Sequence, residues 1–337
     1  MIMERNCYII AEAGLNHNGS IDLAKKLIDL ASVAGADAVK FQKRTVNKLT
    51  TEDFLNAEDN RFPSFGKTYR EIREHLEFSE IDYKILKKYT KSKNLDFIVT
   101  AFDIEAYDFL FKLGVDKFKF ASHSLTNLDL LKYASKKKIP VILSTGMSEM
   151  EEIDTAINIF KSNNCPVSIM HCVSSYPTPQ NECNLSFINI LKERYNVQTG
   201  YSGHEIGYFP TLLAVANGAE IIERHYTLDT SMEGFDHKMS LNPNDFNDMI
   251  SKIREILHIF GNGQKKVSET EMITRNKYHV SMISIREIKK GEILSEEMIE
   301  YRNPGTGIPP KKASLVLGKK AKEDISNNSI LNYEMFI

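Results

Sequence analysis

Short apolar runs rich in Ile, Val and Phe recur along the 337-residue chain, separated by amphipathic stretches long enough for helices. This is the pattern of repeated βα units. Eight runs qualify, beginning near Tyr8 (YIIAEAG), Ala38 (AVKFQ), Asp96 (DFIVTAF), Lys117 (KFKFAS), Pro140 (PVILSTG), Val167 (VSIMHC), Val197 (VQTGYS) and Glu220 (EIIERH). Eight strands close a parallel barrel, and residues 1–260 suit the usual size of that fold. The expected class is therefore α/β, a (β/α)8 TIM barrel, with an open doubly wound sheet as the alternative.

The first helix shows how the reading works. Ser20 can cap it, Asp22 suits its positive end, and Ala24, Leu27, Ile28, Ala31 and Ala34 form one apolar stripe before Gly35 stops it. The last barrel helix opens on Asn242 and Pro243 and runs through Phe246, Ile250, Ile253, Ile256 and Leu257 to Gly261. Residues 261–280 are polar and read as a linker. Residues 281–337 read as short strands and turns, a second domain small enough to need docking on the barrel or on another subunit.

Composition narrows the partners. With 43 basic against 45 acidic side chains there is no broad positive field, so nucleic-acid binding is not expected. No apolar run approaches the ~20 residues of a membrane helix, and the opening MIMERNCYIIAEAG lacks signal-peptide features; a cytoplasmic chain without a membrane partner is expected. The four cysteines, Cys7, Cys165, Cys172 and Cys183, show no metal-type spacing and read as reduced packing thiols.

Chemistry in such a barrel gathers at the C-terminal ends of the strands. Glu12, Lys40, Gln42, Thr100, Lys119, Ser122, Ser144, His171, Ser202, His204, Glu223 and His225 fall there. Alternation puts Lys40 with Gln42, Lys117 with Lys119, and Glu223 with His225 on shared faces. A buried lysine needs a carboxylate partner or an anionic ligand, and both readings stay open for Lys40 and Lys119. Ser144, Thr145 and Gly146 form a turn that suits a phosphate if a helix follows. His204 and His225 could each give a ring nitrogen to a divalent metal, or be hydrogen-bonded structural histidines. Glu12 and Glu223 could hold a water or orient an imidazole, or pair with the lysines. His17, Asp236 and His237 read from their contexts as turn formers.

Taken in order, IIAEAGLNHNGS, GADAVKFQ, KFKFAS, PVILSTGM, HCVSSYPTP, YSGHEIG and IIERHYTLD resemble the sialic acid synthase family over nearly the whole chain. The final segment, with IREIKKGEIL, NPGTGI and LGKKAKEDI, resembles the antifreeze-like SAF domain that ends its members. The resemblance implies a metal-dependent enzyme, using Mn2+ or Mg2+, that condenses phosphoenolpyruvate with an N-acetylated amino sugar such as N-acetylmannosamine and releases phosphate. It also implies a homodimer with swapped C-terminal domains. His204 and His225 match the family's metal-binding histidines, and Glu12 its carboxylate near the metal. Lys40, Thr100, Lys119, Ser122 and Ser144 match phosphoenolpyruvate-site positions; Gln42, Tyr176 and Asp236 match sugar-side positions. Ser174, Glu223 and Arg302 complete the candidate substrate-binding set.

Three departures bear on the acceptor. Ser124 stands where sialic-acid-forming members carry Glu, Ser174 where they carry Asn, and Asn303 directly before PGTG, with Arg302 one position earlier than the family's arginine. A legionaminic or pseudaminic acid synthase using a diacetamido-trideoxy hexose is therefore the alternative. Two rivals lie outside the family reaction: a Schiff-base aldolase with Lys40 or Lys119 as nucleophile, and a non-catalytic sugar- or ice-binding protein.

Overall fold

The computed structural model describes residues 6–337, which divide into two compact units at Asn262/Gly263. The first is a closed barrel of eight parallel strands in sequential order: β1 (Tyr8–Gly14), β2 (Ala38–Lys43), β3 (Asp96–Ala101), β4 (Lys117–Phe120), β5 (Val141–Ser144), β6 (Val167–Cys172), β7 (Thr199–Gly203) and β8 (Ile221–His225). The open-sheet alternative is excluded by the pairing of β1 with β8, Glu12 opposite His225. On its other side β1 pairs Glu12 with Lys40 before a register shift between Glu12 and Gly14.

The helices form where caps and stripes agree. Ser20 accepts the Leu23 N–H at 3.3 Å, the helix Ile21–Ala34 buries Ala24, Leu27, Ile28, Ala31 and Ala34, and Gly35 ends it at φ 83°. That left-handed conformation is cheap only for a residue without Cβ. Asn242 caps the helix Pro243–Phe260 by accepting from Asp245 N–H at 2.9 Å. Outward-facing strand residues such as Val39, Phe41, Phe97, Val99, Phe118 and Leu143 pack against these helices in one large core. None of the described helices is long and apolar enough to cross a membrane.

The second unit has its own core, built from Met282, Ile288, Leu294, Met298, Ile308, Val316, Ile325, Leu331 and Phe336 among others. Its regular sheet is one antiparallel pair, β9 (Ser281–Ser284) and β10 (Ile299–Arg302). The polar segment 261–280 contains a helix, Glu269–Tyr278, started by a reciprocal capping box between Ser268 and Glu271.

Candidate active site

Every second side chain of a barrel strand points inward, so the interior is built in storeys. One storey is apolar, with Ile10, Ala38, Ile98, Ile142, Met170 and Ile221 packed together. Two residues further along each strand the storey is polar. Glu12, Lys40, Thr100, Lys119, Ser144, Cys172, Ser202 and Glu223 line a cavity of about 270 Å³ there, with Gln42, Ser122, Ser174, Tyr176, His204, His225 and Asp236 above them. Most of the sequence candidates thus converge on one mouth.

The lysines have carboxylate partners. Lys40 Nζ lies 3.0 Å from Glu12 Oε2 and 3.3 Å from Glu223 Oε1, and donates to Thr100 Oγ1 at 3.1 Å. Lys119 Nζ donates to both Glu223 oxygens at 3.0 Å, and Ser202 Oγ adds a bond to Glu223 at 3.2 Å. Burial by itself would lower the pKa of both ammonium groups and raise that of the carboxyl. For Lys40, flanked by Glu12 and Glu223, the carboxylates win and the pKa rises; Lys119 has one carboxylate and a neighbouring cation, so burial wins and its pKa falls. Glu223 is held well below the carboxylate range because both ammonium groups outweigh its burial.

Beside this balanced quartet lie polar groups with nothing to bond. Ser144 Oγ, Ser174 Oγ and His225 Nδ1 are buried without a hydrogen-bond partner, which costs free energy unless a ligand or water supplies one. Gly146 makes room for two of the hydroxyls. Its N–H donates to Ser122 Oγ at 2.9 Å, and a Cβ on it would stand 2.2 Å from Ser174 Oγ and 2.8 Å from Ser122 Oγ. Any side chain at 146 would displace these two hydroxyls.

The two imidazoles are neighbours, with ring centroids 5.6 Å apart. His204 Nδ1 donates to Val173 O at 2.9 Å, which leaves Nε2 as its free acceptor. Burial lowers the pKa of His225, and Asp236, whose Oδ2 is 3.8 Å from His225 Nδ1, only partly opposes it, so a neutral ring is available for ligation. For His204, burial is outweighed by the Cys172 sulfur 3.8 Å from Nδ1, and the pKa rises. No group of three or more His, Cys, Asp or Glu side chains that could hold a metal occurs among the described residues. The set fits a divalent ion that takes two protein nitrogens and completes its shell with water or substrate oxygen.

Other candidates fall as follows. Gln42 donates to Glu12 Oε1 at 2.7 Å, and the Tyr176 ring lies 4.3 Å from that of His204. Ser124 is buried. Arg302 belongs to the second unit, exposed on β10 with Glu300 3.4 Å away. His171 is outside the cavity: its side chain turns to the helix side, where Nε2 bonds Cys183 O at 2.7 Å. His17 and His237 are buried structural rings, the first stacked on Phe78 and the second bonded to Thr227 and Asn18.

Sequence reasoning missed four lining residues that matter, Arg44, Arg73, Cys172 and Phe235. The alternation that marked Lys40 and Gln42 continues to Arg44, and the one that marked Met170 continues to Cys172. Arg73 sits on the helix Tyr69–Leu76 in an insertion between β2 and β3, where no periodic signal points inward. It missed one buried pair outside the cavity as well: Arg224, beside His225, bonds Glu205, beside His204, and so ties the ends of β8 and β7 together.

The NeuB family model matches residues 27–265 and the SAF domain model residues 280–337. The chain is 38% identical to the N,N'-diacetyllegionaminic acid synthase of Campylobacter jejuni, over 96% of this chain and 98% of the relative. It is 35% identical to the N-acetylneuraminate-9-phosphate synthase of Drosophila melanogaster, over 96% of each. A crystal structure of the N-acetylneuraminic acid synthetase of Leptospira borgpetersenii in complex with citrate superposes with a TM-score of 0.70 at 36% identity, covering 80% of this chain and 90% of that one. The relatives are synthases, and the chain is similar to them over nearly its full length.

Proposed function

The chain belongs to the NeuB family and ends in a SAF domain, and on that premise we propose that it condenses phosphoenolpyruvate with the open-chain form of an N-acetylated amino sugar. The products are a nonulosonic acid and phosphate, a transferase reaction. The observation that carries this reading is the polar storey itself: two buried lysines beside unspent serine hydroxyls, next to two imidazoles 5.6 Å apart.

In this reading Lys40, Lys119, Ser122 and Ser144 hold the phosphate and carboxylate of phosphoenolpyruvate, with Thr100 and Ser174 completing the cradle. His204 and His225 hold Mn2+ or Mg2+, which when bound supplies Lewis-acid polarisation of a carbonyl oxygen. Gln42, Tyr176 and Asp236 orient the sugar so that its aldehyde carbon faces carbon three of phosphoenolpyruvate. A bond forms between those carbons as the aldehyde oxygen takes up a proton, water adds at carbon two and gives up a proton, and the C–O bond to phosphate breaks as the new carbon-two hydroxyl becomes the keto group and its proton leaves with the phosphate. Glu12, fixed by Gln42 and Lys40, takes the proton from the water. Glu223 keeps the two lysines charged and in place.

N-Acetylmannosamine is the first acceptor to test. A diacetamido-trideoxy hexose is the second, favoured by Ser124 and Ser174 standing where sialic-acid-forming members carry Glu and Asn, and by the likeness to a legionaminic acid synthase. The reading extends to a cytoplasmic homodimer with swapped SAF domains that bring Arg302 to the sugar.

The deciding experiment is product mass after incubation with phosphoenolpyruvate, Mn2+ and each candidate sugar. The expected product is sugar plus phosphoenolpyruvate plus water minus phosphoric acid, and heavy oxygen in the bridging position of phosphoenolpyruvate should appear in the phosphate. Borohydride trapping of a pyruvyl-lysine at Lys40 or Lys119 would instead select the Schiff-base aldolase.

A further inference from the structure

The rim of the cavity carries positive charge that the reaction above does not use. Arg44 is 7% exposed, and its NH1 has no hydrogen-bond partner; NH2 donates to Gln42 Oε1 and the guanidinium lies over Phe102, 4.0 Å from the ring centroid. Arg73 Nε and NH1 are likewise buried and unbonded, with the guanidinium held 4.3 Å from the Phe235 ring and 4.9 Å from that of Tyr69. The carboxylate beside Arg44 is Glu77, and Arg73 acts at longer range on Asp59, whose pKa it helps lower without an ion pair. Glu77 bonds Lys43 Nζ at 3.0 Å and the Arg44 backbone N–H at 3.2 Å, and stands 3.7 Å from Arg44 NH1. Arg73 has no ion pair among the described residues. The two guanidiniums act on each other and on His123: after burial, Arg73 is the next cause lowering the pKa of Arg44, and both arginines help lower that of His123. Burying two like charges with spare donors is unfavourable unless a ligand brings the opposite charge.

Position says which ligand. Gln42 accepts from Arg44 on one side and donates to Glu12 on the other. A Cβ on Gly14 would lie 3.2 Å from His225 Cε1 and 3.3 Å from Gln42 Nε2, so Gln42 separates the histidine pair from Arg44 by one side chain. A sugar chain whose aldehyde lies at the histidines would bring its far end to the guanidiniums. The three spare donor nitrogens on two cations suit the three oxygens and double charge of a phosphomonoester.

We propose that Arg44 and Arg73 form an anion subsite for the acceptor, and that the acceptor is an N-acetylated amino sugar phosphorylated at the end remote from its aldehyde. This rests on the condensation reading and narrows it, because a hexose with no hydroxyl at carbon six has nothing to esterify there.

The test uses the full chain with N-acetylmannosamine and with the same sugar phosphorylated at carbon six, in two readouts. Calorimetry without phosphoenolpyruvate should show the phosphorylated sugar binding at least tenfold more tightly. With phosphoenolpyruvate and Mn2+, its kcat/KM should be at least tenfold higher. R73Q, on the rim, should cut that preference tenfold or more, mainly through the KM of the phosphorylated sugar, with partial rescue in R73K; R44Q should do the same if it folds. Equal binding of the two sugars would overturn the proposal, as would an R73Q effect confined to the KM of phosphoenolpyruvate. Tight binding of the phosphorylated sugar without turnover would sink the condensation reading and leave the subsite; turnover without preference would do the reverse.

Discussion

Lys117 and Lys119 lie two residues apart on one strand and face the same barrel interior, yet they belong to different kinds of network. At the floor, Lys117 donates to Asp96 at 2.8 Å and to Tyr8 at 3.1 Å, and Tyr8 donates to Asp96 at 2.6 Å. None of these three side chains is left with a buried orphan atom. At the mouth, Lys119 joins Lys40, Glu12 and Glu223, and around that quartet serine hydroxyls and a ring nitrogen go unpaired. A salt bridge alone therefore does not separate scaffold from site. For these two storeys the difference lies in hydrogen-bonding capacity left over beside the charges, none at the floor and several groups converging on one cavity at the mouth.

The contrast can be broken most sharply at Lys119. Lys119→Met should lower kcat/KM by about 10²–10³-fold through loss of an anion donor, and cost about 3 kcal/mol because Glu223 loses one of its two cations. Activity within tenfold of the parent would remove the upper storey from consideration as the anion site. His225→Ala should weaken Mn2+ binding, followed by electron paramagnetic resonance, by about a hundredfold or more, while the melting temperature changes little. Unaltered Mn2+ affinity would refute the ligand assignment.

At the floor the expected pattern inverts. Asp96→Asn should leave kcat within about twofold and cost about 1 kcal/mol near neutrality, allowing for solvent screening of a carboxylate that is 31% exposed. Lys117 and Tyr8 outweigh the burial of Asp96 and lower its pKa from 3.8 to about 2. Its contribution is present above the unfolded value and disappears as pH falls from about 4 to 2, so denaturation curves of parent and variant should converge over that window.

The effect that vanishes at neutral pH concerns His17, whose pKa is lowered from 6.5 to about 3, first by burial and then by Arg44. Its Nδ1 accepts the Gly19 N–H at 3.1 Å, so the folded ring is neutral. The unfolded chain takes up a proton near 6.5 and the folded one near 3; between these values acidification costs stability by up to about 1.4 kcal/mol per pH unit. His17→Gln should flatten that part of the stability profile, and an unchanged slope would show that the ring titrates normally in the fold.

Much of this was legible in the chain. β1, β2, β3, β4 and β6 begin where the apolar runs do. β5 starts one residue late because Pro140 has no N–H to donate to a ladder, and β7 and β8 begin at Thr199 and Ile221, one or two residues inside their runs. The mouth residues were legible because period-two alternation fixes which face a strand residue takes. The helix Glu269–Tyr278 was not: none of its residues is buried, so it has no apolar stripe to announce it, and only its capping box could have. Arg73 was invisible for a related reason, since an inserted helix carries no register with the barrel. The ion pair of Arg224 with Glu205 is hidden in sequence because a charged residue at an outward strand position reads as exposed.

The apolar storey of Ile10, Ala38, Ile98, Ile142, Met170 and Ile221 plugs the barrel directly beneath the polar one. The chamber is thus a blind alley with a single doorway, and traffic through it must queue. On the proposed condensation, whichever reactant occupies the bottom would be admitted first and depart last, so a dead-end mimic of that reactant would also decide whether its companion can be seated at all.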